Sequence, residues 1–136
     1  MIRNFFYFFR YPVILFFINI FFERIGVYLI FPWMDIPLHF IGGFLIAHSF
    51  ILIYIFLRGK KLIFVKNKFI FLFFILSIVS LIAILWEFWE YIVINFFNLD
   101  VLMTLEDTLF DLFMGLVGGI FSFFTFGKRL KTQKNL

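Results

Sequence analysis

The segment from Phe69 to Leu85 contains no charged residue, and its only side-chain hydroxyls belong to Ser77 and Ser80. A membrane-spanning helix needs about 20 mostly apolar residues, and this segment reaches that length with its flanks. Inside hydrocarbon a helix satisfies its own backbone hydrogen bonds without a partner strand. The segment therefore predicts a transmembrane helix, and it limits the chain to architectures that cross a membrane.

The composition of the whole chain leads to the same class of protein. Of 136 residues, 65% are hydrophobic and 27 are Phe, and the mean hydropathy is +1.11. A soluble domain of this length buries only part of its surface and would leave much of this apolar area in water. We therefore predict an all-α, polytopic integral membrane protein that forms a single membrane domain over residues 1–136, surrounded by the lipid bilayer.

Four segments are long and apolar enough to span the bilayer. Pro12 suits the first turn of the first helix, and Trp33 is placed like an interfacial anchor before the second. Thr104 precedes two acidic residues and is expected to cap the fourth helix. The four helices are predicted at about residues 11–31, 36–57, 69–95 and 105–126.

The basic residues indicate the orientation of this four-helix bundle. Apart from Arg24, they are confined to the N-terminus, the loop 58–68 and the tail 127–136. With four spans these three segments lie on one side, which the positive-inside rule makes cytoplasmic. We predict both termini in the cytoplasm and a multi-pass protein of a prokaryotic plasma membrane. This distribution explains the net charge of +4 without a nucleic-acid partner.

The N-terminus and the absence of Cys limit the interpretation further. No small-residue cleavage site follows the first apolar residues, so the N-terminus is predicted to be retained rather than removed as a signal peptide. With no Cys in the chain, neither a disulfide framework nor thiolate chemistry is available.

The acidic residues, unlike the basic ones, lie within the predicted helices or near their outer ends. Glu87 and Glu90 are three residues apart, and Asp107 and Asp111 are four apart, so each pair shares a helix face. With a rise of about 1.5 Å per residue, both pairs and His39 fall in one layer below the outer leaflet. A carboxylate in such a layer costs free energy unless a proton, a cation or a metal compensates its charge.

We therefore predict a buried polar site in this layer. Its candidate metal ligands are His39, Glu87, Glu90, Asp107 and Asp111, and Asp35, Glu23 and Arg24 are candidates for its rim or outer shell. An oxygen-rich set with one imidazole suits Mg²⁺, Mn²⁺, Ca²⁺ or Zn²⁺. Protonated carboxylates, or carboxylates paired with a substrate, fit the pattern as well.

Several neighbouring residues receive simpler interpretations. Asn19, Glu23 and Gly26 are predicted to mark the inward face of the first helix. His48 is predicted to be a hydrogen-bonded packing residue, and Trp86 is expected to pack on neighbouring helices or lipid. The glycines of the second and fourth helices are predicted to let these two helices approach closely.

Three motifs carry a resemblance to the YjdF-like family of small membrane proteins. They are Asp35 with the segment HFIGGF (His39–Phe44), EFWEY (Glu87–Tyr91) and DTLFD (Asp107–Asp111). This chain has Thr104 where that family has a further acid, and fewer helices before the motifs. A more distant similarity, through the Asp-x-x-x-His start and the Gly-rich last helix, is to VanZ-like proteins, which are associated with glycopeptide-antibiotic tolerance. Neither resemblance implies an established reaction.

Three functional hypotheses fit these residues, and they leave open whether the protein is an enzyme. The first is metal-dependent chemistry on an envelope lipid or lipid-linked precursor, with catalytic residues unassigned. The second is a cation- or proton-linked carrier or a lipid-binding accessory protein, for which a homo-oligomer formed through Gly115 and Gly119 is one option and an intrachain contact the other. The third is a polar layer that only specifies helix packing.

Overall fold

The computed structural model describes residues 2–97 and 104–127, with side chains from Phe6 onward. The connection 98–103 and most of the basic tail, 128–136, which was predicted to be cytoplasmic, lie outside the described residues. The elements are α1 (Ile2–Arg24), α2 (Val27–Ile30), a 3₁₀ turn (Pro32–Met34), α3 (Asp35–Gly59), α4 (Lys68–Phe97) and α5 (Leu105–Phe126). Within these ranges no strand occurs, and α1, α3, α4 and α5 are long and apolar enough to cross a membrane. The predicted all-α polytopic fold is confirmed.

The bounds of the first helix differ from the prediction of residues 11–31. This helix begins at Ile2 and ends at Arg24, before Gly26, whose φ of 73° lies in the left-handed region. Glycine adopts that conformation without steric cost, so the chain turns there and starts the short α2 in a new direction. Gly26 is therefore a breaker between two helices rather than part of an inward helical face. The other three spans lie close to their predicted bounds.

The closest helix contact joins α3 to α5. A Cβ atom on Gly43 would overlap the backbone of Gly115, and one on Gly118 would overlap the carbonyl of Phe40. A Cβ on Gly119 would lie 3.2 Å from Val79 of α4. The predicted close approach of these two helices is confirmed. Gly115 and Gly119 pack against other helices of the same chain.

The end of the bundle next to the loop 60–67 is filled by apolar side chains. Buried members of this core include Ile51, Phe71 and Ile75. The Tyr54 hydroxyl donates to the carbonyl of Val65 at 3.3 Å and accepts its N–H at 3.1 Å, which ties the loop to the core. The acidic side chains of the described spans lie toward the opposite end, where α3 and α5 begin and α4 finishes.

The first helix is attached to the bundle mainly through α3. The Ser49 hydroxyl donates to the carbonyl of Phe8 at 2.7 Å, and the rings of Phe9 and Phe50 lie 5.5 Å apart. From Phe6 to Arg24, Asn19 is the one buried residue. This peripheral attachment leaves space between α1 and α4.

We expect Gly118→Ala to lower the free energy of unfolding by roughly 1–3 kcal/mol, because the added methyl group overpacks the α3–α5 contact. Gly59→Ala is the matched control, since nothing lies within 4 Å of its Cβ position. The measurement is unfolding of the purified protein by a denaturing detergent in mixed micelles. Equal stability of the two variants would contradict the close contact.

Candidate functional site

Three helix ends meet at the polar end of the bundle: the start of α3, the last turns of α4 and the first turns of α5. They bring together the side chains of His39, Glu87 and Asp111, which are 8%, 8% and 3% exposed. Charged groups are rarely buried to this extent unless something compensates them. The cluster is therefore the part of the described chain that needs an explanation beyond packing.

His39 lies at the centre of the cluster. Its Nε2 atom is 3.4 Å from Oδ1 of Asp35, one helical turn earlier on α3, and 3.8 Å from Oε1 of Glu87 on α4. Both distances exceed the range of about 2.7–3.2 Å for a good N–H···O hydrogen bond. The imidazole is thus held among carboxylates without a short hydrogen bond to either of them.

Two overlapping groups of ligand atoms share His39. In one, the atoms of Asp35, His39 and Asp111 lie within 4.8 Å of one another, and in the other those of His39, Glu87 and Glu90 do. Opposite ligands of a Ca²⁺ ion bound at roughly 2.3–2.6 Å are about 5 Å apart, so this spacing fits a divalent ion. The structure brings four of the five predicted ligands together and adds Asp35, which was expected at the rim.

Three atoms of the cluster have no hydrogen-bond partner among residues 2–97 and 104–127. They are Nε2 of His39, Oε1 of Glu87 and Oδ1 of Asp111, and all three are buried. Leaving a buried polar atom unsatisfied costs about 1–3 kcal/mol, and more for a charged group. The described residues of the protein therefore do not satisfy these three buried atoms.

Asp107, the fifth predicted ligand, lies outside both groups. It is exposed in the first turn of α5, and its backbone N–H donates to Oγ1 of Thr104 at 3.1 Å. This contact confirms Thr104 as the helix cap. Asp107 is one turn closer to the helix end than Asp111, which places it toward the rim of the cluster.

The two candidates on α1 are also peripheral. Glu23 is half-buried at the end of the helix, and the exposed Arg24 has its guanidinium 5.4 Å from the centre of the Phe97 ring. A guanidinium over an aromatic face makes a favourable cation–π contact. The one basic residue predicted within the spans thus packs at the bundle surface rather than in the cluster.

Tyr28 and Asn19 form a polar pair beside the cluster, and Tyr28 was not predicted to take part. The Tyr28 hydroxyl donates to Oδ1 of Asn19. Burial, with the nearby carboxylates of Asp35 and Glu90, raises the pKa of Tyr28, so the hydroxyl keeps its proton and acts as a donor. The sequence feature that could have predicted the position of Tyr28 is Gly26, where the chain turns before α2.

Trp86 has a polar role in addition to packing. Its indole N–H donates to Oε1 of Glu90 at 2.7 Å, and its ring stands edge-on to His39. The spacing of four residues places the two side chains on one helix face. His48 lies elsewhere, with its ring 4.1 Å from that of Phe126, in a packing position.

A cavity of about 290 Å³ adjoins the cluster. Asp35 and His39 form part of its wall together with Asn19, and the rest of the lining is mainly apolar. The cluster therefore has a neighbouring space that a ligand can occupy.

The family of the chain is shown by its sequence. The model of the family DUF2238, described as a predicted membrane protein, matches residues 2–132. The chain belongs to DUF2238. The match runs from α1 through α5 and includes every residue of the cluster. No curated protein and no solved structure matches this DUF2238 protein.

We expect Asp111→Asn to leave the metal-free protein at least as stable as the wild type, with a gain of roughly 0.5–2 kcal/mol. The substitution removes a carboxylate that faces Asp35 across the cluster and whose Oδ1 is unpartnered. The measurement is unfolding in detergent with a chelator, beside Glu106→Gln on the exposed face of α5. A loss of more than about 1 kcal/mol would instead indicate that the carboxylate stabilises helix packing.

Proposed function

We propose that this DUF2238 protein binds a divalent metal ion at Asp35, His39, Glu87, Glu90 and Asp111, and uses it in chemistry on an envelope lipid or lipid-linked precursor. The observation that carries the proposal is the convergence of these side chains from three helices into two groups that share His39. The unpartnered buried atoms of His39, Glu87 and Asp111 support it further, because a metal would give each of them a ligand role.

The balance of charge also supports a bound cation. Four carboxylates and one imidazole lie at one depth of the bundle, while Arg24 packs over Phe97. Each ionised acid near the centre of a membrane span costs about 2.5–3.5 kcal/mol on insertion scales, so several together need a counter-charge. Oxygen ligands with one imidazole suit Mg²⁺, Mn²⁺, Ca²⁺ or Zn²⁺.

A lipid is the substrate class that fits the position of the cluster. The ligands belong to helices long and apolar enough to span a membrane, so a lipid can approach from the bilayer. A bound metal ion can activate water or neutralise a phosphate group, both of which serve the chemistry of phosphorylated lipids. The chain has no Cys, so a thiolate nucleophile is excluded.

We expect purified wild-type protein to contain close to one divalent metal ion per chain by elemental mass spectrometry. Glu90→Gln and Asp111→Asn should lose it, because each replaces a charged ligand by a neutral amide. Glu106→Gln is the matched control, since Glu106 is exposed and outside both ligand groups. A wild-type protein that stays metal-free after supplementation would overturn the metal site.

The lipid chemistry is tested with the same variants. The metal-loaded wild type is incubated with phospholipid or polyprenyl phosphate in mixed micelles, and the products are identified by mass spectrometry. Turnover that disappears in Glu90→Gln and persists in Glu106→Gln supports the proposal. Metal binding without turnover, together with cation flux in liposomes, would favour a carrier. Full cellular activity of a Glu90→Gln, Asp111→Asn double variant would favour a structural polar layer.

We also propose that the chain lies in a prokaryotic plasma membrane with both termini and the loop 58–68 in the cytoplasm, and that it is a YjdF-like member of DUF2238, with a more distant VanZ-like relationship. The distribution of Lys and Arg supports the orientation. The segments HFIGGF, EFWEY and DTLFD, which contain His39, Glu87, Glu90 and Asp111, support the relationship.

The absence of Cys makes this orientation simple to test. Trp33→Cys and Lys60→Cys place single thiols at exposed positions at opposite ends of α3. We expect a membrane-impermeant maleimide to label Trp33→Cys on intact cells and to label Lys60→Cys only after permeabilisation. The reverse pattern would show that the bundle is inserted the other way.

A further inference from the structure

We infer that the cavity beside the cluster holds one acyl chain of a membrane phospholipid, which enters sideways between α1 and α4 and places its head group at Asp35 and His39. The inference names the lipid that the proposed metal site would act on, and for the head group it rests on that proposed function. Binding of the chain itself depends only on the cavity.

The size and lining of the cavity fit a hydrocarbon chain. Its volume of about 290 Å³ is close to the lower end of the range for ligand pockets, roughly 300–1,000 Å³. Apolar side chains from α1, α3 and α4 form most of its wall, including Leu15, Phe16, Leu38, Ile46, Ile82 and Ala83.

Water is a poor occupant for most of this space. A buried water molecule needs two to four polar partners, whereas apolar cavities stay dry. The polar side chains on the wall, Asn19, Asp35, His39 and Trp86, come from the part of the bundle that holds the cluster. The apolar remainder is filled best by the hydrocarbon that surrounds a membrane protein, because a chain regains van der Waals contacts that an empty space lacks.

The loose attachment of α1 provides a route into the cavity. Val13 belongs to the cavity wall and is also 39% exposed, so the space reaches the outer surface of the bundle at α1. At the seam between α1 and α4, the ring of Phe16 lies 5.6 Å from that of Trp86 and 6.1 Å from that of Trp89. Rotation of aromatic side chains at this seam would widen the entrance without moving a helix.

The position of the polar residues fixes which end of the lipid lies where. Asp35 and His39 belong both to the cavity wall and to a group of candidate metal ligands. A lipid whose chain fills the apolar part therefore presents its head group to these two residues. The phosphate of that head group would meet carboxylates, which repel it, unless a divalent cation bridges them.

The test uses the full chain in nanodiscs that contain phosphatidylglycerol with a photoreactive diazirine near the end of one acyl chain. Crosslinked residues are mapped by mass spectrometry after illumination. We expect crosslinks on cavity residues such as Ile46 and Ile82, in addition to those on lipid-facing residues such as Phe73 and Phe124, which are 75% and 65% exposed.

Gly42→Leu is the variant that fills the cavity. A Cβ at Gly42 meets only the side chain of Leu15, at 3.7 Å, so the larger residue fits the backbone and projects into the space. Gly59→Leu is the matched control on the same helix, where nothing lies within 4 Å. We expect Gly42→Leu to lose the crosslinks to Ile46 and Ile82 and to keep those to Phe73, and Gly59→Leu to keep all of them.

A second variant keeps the test decisive if Gly42→Leu does not fold. Val13→Trp narrows the entrance at an exposed position and should also lose the cavity crosslinks. Cavity crosslinks that persist in both variants, or that are missing from the wild type, would overturn the inference. The metal content of each sample separates the two proposals. Cavity crosslinks in protein that never binds metal would support the acyl-chain site and contradict the proposed function. Metal-loaded wild type without cavity crosslinks would contradict the acyl-chain site alone.

Discussion

The contact between α3 and α5 holds the rest of the structure in place. Gly43 lies against the backbone of Gly115, and Gly118 lies against the carbonyl of Phe40, so no side chain separates the two helices there. In a membrane, helices associate through such packing rather than through exclusion of water. The contact lies next to His39 on α3 and one turn from Asp111 on α5, so it brings these two side chains into the same cluster.

The two ends of the bundle differ in the side chains that they bury. One end is apolar, with Ile51, Phe71 and Ile75 in a core next to the loop 60–67, and none of the described buried residues there is charged. The other end gathers carboxylates from α3, α4 and α5 around His39 and leaves some of their atoms without partners. Leaving buried polar atoms unsatisfied lowers stability, and this cluster brings together three of them, on His39, Glu87 and Asp111.

Residues of α1 line the cavity that adjoins this site. α1 packs mainly on α3, and the cavity lined by α1, α3 and α4 has Asp35 and His39 in its wall. The Tyr28 hydroxyl donates to Asn19, a residue of the cavity wall, close to the carboxylates of Asp35 and Glu90. The described helices thus place a cluster of acidic side chains and His39 beside a mainly apolar cavity.

The sequence by itself determined that the chain has four candidate spans and that Thr104 caps the last of them, because apolar length and capping are local properties. Only the tertiary structure decided that Asp35 joins the cluster while Asp107 stays at its rim, and that Trp86 donates to Glu90. Helical spacing says which residues share a face, but the rotation of each helix and the distance between helices are set by packing. The cavity, too, is a product of packing, because its wall is formed by residues of separate helices.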